Sequence, residues 1–106
     1  MAVVVADRLY RGVRTKDRTD VTVVLAPGES RPLEDEHGLR FDWGRPTDGA
    51  MVLTRALLRD ALGDAGTPEI ENRLLREVVM TLPFIDPWVL WRRDVQEFAA
   101  RFRASG

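Results

Sequence analysis

Residues 50–62 constrain the fold more than any other part of the chain. On a helical wheel, Ala50, Met51, Val52, Leu53, Ala56, Leu57, Leu58, Ala61 and Leu62 cover most of the circumference, leaving a narrow polar strip near Arg55 and Arg59. A helix that is apolar almost all round has to be covered on several sides. It is therefore expected as the central element, running over 49–62, packed on a sheet and flanked by other helices. Thr47 or Asp48 can accept the free N–H groups of its first turn, and Gly63 stops it.

The first third of the chain supplies strands. Leu9, Arg11 and Val13 alternate with Tyr10, Gly12 and Arg14, a polar turn through Lys16, Asp17 and Arg18 follows, and 21–25 is a β-branched run. This pattern predicts an antiparallel hairpin with its first strand at the sheet edge, and residues 3–5 can extend that strand backwards. Pro27 and Gly28 end the second strand. Residues 29–38, with Pro32 and the acidic Glu34, Asp35 and Glu36, read as a solvated loop. Leu39, Phe41 and Trp43 alternate with Arg40 and Asp42, which predicts a short third strand ending at Gly44. A fourth short strand is expected over 88–91, after a turn over 84–87.

Two further helices follow from their signals. Thr67 as cap, Pro68 as first residue and the acidic Glu69 and Glu71 open one, whose apolar face is Ile70, Leu74, Leu75, Val78, Val79 and Leu82 and which Pro83 stops. The last, over 93–103, carries a narrow stripe of Val95, Phe98, Ala99 and Phe102. The expectation is one α+β domain over residues 1–106: a small antiparallel sheet of three to four short strands packed against three helices.

Composition removes several functions. The chain has 106 residues and no cysteine, so it has no disulfide framework, no thiolate nucleophile and no cysteine zinc site. His37, the one histidine, lies in the acidic loop and cannot build a histidine-rich metal site. Ser30, Thr47, Thr54 and Ser105 lack the setting of an activated nucleophile. No catalytic residue, metal or cofactor is expected. No stretch approaches a membrane span, and the apolar start is cut short by Asp7 and Arg8, so no membrane association and a cytoplasmic location are expected. The net charge of −1 argues against wholesale nucleic-acid binding.

That neutrality is an average. Arg8, Arg11, Arg14, Lys16 and Arg18 against Asp17 give the hairpin a local charge of +4, while 29–36 carries −3. With Arg92, Arg93, Arg101 and Arg103 the hairpin could form a basic face, or its charges could simply discourage strand pairing at an edge. A second candidate is the turn at Gly44, Arg45, Thr47 and Gly49, a strand-to-helix junction of the kind that holds anions. The competing reading is an ordinary helix cap, with Asp48 filling the same donors and Asp42 and Asp48 paired to Arg40 and Arg45. The third is Trp88, Trp91, Arg92 and Arg93. Two tryptophans three apart in an extended segment face opposite sides, so one can remain exposed beside arginines as a protein-binding hot spot, while the other serves the core.

These residues, in this order, resemble a family. Tyr10-Arg11-Gly12, Val21-Thr22-Val23-Val24, Phe41-Asp42-Trp43-Gly44, then Gly49 and a leucine-rich helix ending in Gly63-Asp64, Leu82-Pro83, Trp88 and Arg93-Asp94-Val95 are similar to small uncharacterised bacterial, phage or plasmid-borne proteins of the DUF6166 family. The resemblance implies a class of gene more than a chemistry. Together with the missing catalytic equipment, it leads to the expectation of a non-enzymatic accessory domain, phage or mobile-element encoded, that binds an unidentified protein such as a host or defence component. The alternative is a nucleic-acid or nucleotide-binding module using the arginine-rich hairpin and the anion-ready turn. A homodimer is also expected, because the first two helices carry more apolar surface than so short a chain readily buries.

Overall fold

A computed structural model describes residues 7–63 and 66–103. β1 (Leu9–Arg14) and β2 (Thr19–Ala26) form the expected hairpin, with Leu9 opposite Val24 and Arg14 opposite Thr19. β4 (Trp88–Trp91) joins the other side of β1 and β3 (Glu29–Pro32) the other side of β2, so the antiparallel sheet has the order β3-β2-β1-β4. β1 is thus an interior strand and not the edge its charges implied. Its arginines alternate in direction: Arg8 and Arg14 turn toward the helices and find carboxylates there, while Arg11 is exposed on the other face. The expected extension by residues 3–5 lies outside the described residues.

The third strand is β3 (Glu29–Pro32), within the segment expected to be a solvated loop. Its backbone pairs with β2, and the ladder continues as the Leu33 N–H donates to the Val21 carbonyl at 2.8 Å. All four residues are exposed, so the strand carries none of the alternation that marks a half-buried one. Residues 39–43, expected as a strand, form none. Phe41, Asp42 and Trp43 are all buried in succession, which a strand of a sheet with one open face cannot do. Their carbonyls bond to side chains instead: the Thr19 hydroxyl donates to Phe41 O and Arg14 to Trp43 O.

α1 (Asp48–Leu62) starts one residue earlier than expected, with Thr47 as cap accepting from the Ala50 N–H. It ends where Gly63 takes the left-handed conformation at φ 81° and donates to Arg59 O. α2 (Pro68–Glu77) is capped by Thr67 but stops well short of Pro83. Val78 leaves the helical region, a 3-10 turn Val79–Thr81 follows, and the Val79 carbonyl accepts from Gly44 and Leu82 rather than from a continuing helix. α3 (Arg92–Arg103) follows β4 directly, and Gln96 donates to Ala61 O near the end of α1 at 2.8 Å.

The helices cover one face of the sheet. Tyr10, Val21, Val23 and Trp88 from the strands pack with Leu53, Leu57 and Leu58 of α1, Ile70 and Leu74 of α2, and Val95 and Phe98 of α3. Leu53, Leu57, Leu58, Ile70 and Leu74 are buried within the chain itself, so these positions of the first two helices need no partner to cover them. Trp43 meets Trp88 edge to face at 5.4 Å. Trp88 lies flat on Gly12, where an added Cβ would fall 2.1 Å from its ring.

Candidate functional site

Within the turn over 44–49, the side chains of Arg45 and Thr47 bond a carboxylate of the chain itself, Asp42. Asp42 accepts from the Arg14 guanidinium at 2.6 Å, the Arg45 Nε at 2.8 Å, the Thr47 hydroxyl at 2.8 Å and the Trp43 N–H at 2.9 Å. Gly49 lets the first turn of α1 approach: a Cβ there would stand 2.9 Å from the Asp42 Cβ. Burial alone would raise the Asp42 pKa, but Arg14, Arg45, Thr47 and Trp43 outweigh it and hold the carboxyl well below its ordinary value. Asp48 is the carboxylate expected to fill the donors of the turn. Asp48 is exposed, the Ala50 N–H is taken by the Thr47 hydroxyl, and Arg45 pairs with Asp42. Arg40, expected as a partner of these carboxylates, has no ion pair among the described residues. Arg14 also donates to Phe84 O at 2.7 Å and lies 4.0 Å over the Phe84 ring, with Arg45 at 4.9 Å.

The fold brings this turn and part of the basic hairpin to one open groove of about 620 Å³. Arg14, Lys16, Arg18, Arg40 and Arg45 line it, together with Asp17, Asp42 and Asp48. The rest of the hairpin is divided. Arg8 bonds Asp60 and Arg11 lies exposed on the far face of the sheet, while Arg18, in the groove, meets Asp20 at 3.3 Å. Arg101 lies 5.3 Å over the Phe98 ring. Side-chain burial is not described for Arg103.

A second carboxylate hub was not foreseen. Asp60, the one acid in the apolar stretch 50–62, accepts from the Tyr10 hydroxyl at 2.7 Å and from Arg8 and Arg31. Burial would raise its pKa, but Tyr10, Arg31 and Arg8 pull it below the ordinary value, while burial and Asp60 push the Tyr10 phenol far up. An acid next to the Arg55 and Arg59 strip in the apolar stretch 50–62 is the signal that could have found it. The hub ties α1 to β1 and β3, as Asp42 ties β1 to the start of α1.

The tryptophan–arginine candidates separate. Trp88 is 4% exposed and belongs to the core, and Arg92 is bound to Asp7 at 3.1 Å. Trp91 remains 37% exposed, with the Arg93 guanidinium 5.4 Å from its ring centre. Val89, two residues before it, is 54% exposed. Successive side chains of a strand point to opposite faces, so Val89 and Trp91 share the face away from the helices, beside Arg11 and Leu9 of β1. Thr22 and Val24 of β2 continue these two rows.

His37 is exposed, 3.4 Å from Glu36, which also meets Arg59. Asp35 accepts from the His37 and Leu39 N–H groups and shapes the loop. Thr54 donates to Ala50 O within α1. Among the described residues no group of three acidic, histidine or cysteine side chains could hold a metal ion, and no helix is long and apolar enough to cross a membrane.

A family model described as a family of unknown function, DUF6166, matches residues 10–101. No curated protein and no solved structure matches the chain. The match runs from β1 to the last turn of α3 and takes in every element between them, so the chain belongs to the DUF6166 family.

Proposed function

We propose that the protein is a non-enzymatic binding module that docks a partner protein on the open face of its sheet, around Trp91. The observation that carries this reading is the separation of the tryptophans: Trp43 and Trp88 are buried, whereas Trp91 is presented beside exposed Val89, with Arg93 over its ring. Tryptophan and arginine are among the residue types enriched where binding energy concentrates. The test is affinity capture from a bacterial lysate. The wild-type chain retains one stoichiometric protein, Trp91→Ala and Arg11→Glu lose it, and a Lys16→Ala, Arg40→Ala double variant keeps it. Capture indifferent to Trp91→Ala contradicts the reading.

A second reading, nucleic-acid binding in the groove, is favoured by one observation. Lys16 and Arg40 are exposed there with no ion pair among the described residues, beside Arg18 at the rim. Gel shifts at rising salt test it. Each phosphate contact contributes a slope of about 0.9 in log affinity against log salt, and Lys16→Ala with Arg40→Ala lowers it. No shift at low salt dismisses this reading.

A further inference from the structure

The two edges of the sheet are finished differently. The Arg92 N–H donates to Arg8 O at 2.9 Å, and Leu90 and Trp88 stand opposite Tyr10 and Gly12. Backbone groups alternate in direction along an antiparallel strand, so residues 88, 90 and 92 bond β1 while Val89 and Trp91 turn theirs away from the sheet. On the other edge, Leu33 bonds Val21, which makes Ser30 and Pro32 the outward positions. Pro32 has no N–H to offer. β3 also carries Glu29 and Arg31, with a register shift against β2. Charge, proline and irregularity are what blunt a sheet edge against further pairing. β4 reads Trp-Val-Leu-Trp, with no charge and no proline, and both outward positions keep their N–H.

We propose that β4 pairs antiparallel with β4 of a second copy of this chain, joining the two sheets into one. Directly opposed residues must both turn their backbone groups to the seam, and Pro87 lacks an N–H. The register that uses both outward positions sets Val89 opposite Trp91 of the second copy, with the two-fold axis at Leu90. Each Trp91 N–H then donates to the opposite Val89 carbonyl. Charge complements this register. Exposed Asp86 precedes the strand and Arg92 and Arg93 follow it, so antiparallel pairing lays the acidic end of one copy along the basic end of the other. Arg92 is held by Asp7, which leaves Arg93 to meet Asp86. Asp94 belongs to the first turn of α3, where its charge is balanced by the helix's positive end.

The pairing uses the edge of β4 and does not rest on partner docking at the open face. Light scattering at up to about 1 mM chain tests it, with twice the 12.0 kDa chain mass expected. Val89→Pro removes an outward N–H and sets ring carbons in the seam while leaving the bonds to β1, and it yields a folded monomer. Asp86→Arg and Arg93→Asp each weaken the dimer by about tenfold, and the double swap restores it. Should Val89→Pro unfold, the charge swap decides. A wild-type monomer at the highest concentration, or a dimer unmoved by all of these variants, overturns the proposal.

Discussion

The carboxylate of Asp42 gathers donors from β1, from the turn after Trp43 and from the cap of α1, and only 12% of its side chain is exposed. Removing its charge leaves Arg14 partly buried without a counter-ion. Asp42→Asn is therefore expected to lower stability by about 3–5 kcal/mol, as for other broken buried pairs, in urea unfolding. The pH dependence has a definite sign. Asp42 and Asp60 are both held below the ordinary 3.8 in the folded chain, so the unfolded chain takes up protons first. Their contribution is complete above that value and is lost as pH falls through it toward the folded values. The unfolding midpoint should stay level above about pH 5 and drop below about pH 4, less steeply in Asp42→Asn. Gly12 acts through space alone: Gly12→Ala drives a methyl into Trp88 and should cost about 1–3 kcal/mol in the same assay.

At the scale of elements, the two capping threonines make a comparison. Among the described residues Thr67 caps α2 and accepts only from Ile70, whereas Thr47 caps α1 and also donates to Asp42. Thr67→Ala should cost about 1 kcal/mol and Thr47→Ala more; equal losses would mean that the Thr47–Asp42 bond contributes nothing. These helix starts were legible in the sequence because a cap is a local chemical need. So was the β1–β2 hairpin, whose half-buried strands alternate. β3 was not, because an edge strand is kept polar for the same reason a loop is. The Leu39, Phe41, Trp43 alternation misled because Asp42 between them points inward to Arg14, a partner 28 residues away. The site was legible to the same degree: Arg45 beside Asp42 could be read from neighbours in sequence, while the joining of Arg14 to Asp42 and of Tyr10 to Asp60 depends on long-range packing.

For the whole molecule, the helices cover one face of the sheet and leave rows of Trp91, Leu9 and Val24 and of Val89, Arg11 and Thr22 on the other. Its two carboxylate hubs tie Arg8 and Arg14 of the hairpin into the structure, while Arg11, Lys16 and Arg18 keep the rest of the local positive charge of residues 8–18 at the surface. On the open face, an exposed indole and valine stand beside Arg11 and Arg93, on and next to the strand at the edge of the sheet. Hydrogen exchange of the chain bound to its captured protein tests partner docking there most directly. Docking at the open face slows exchange in β1 and β4, around Val89 and Trp91, and leaves residues 40–49 unchanged. Protection confined to residues 14–18 and 40–49 would contradict it.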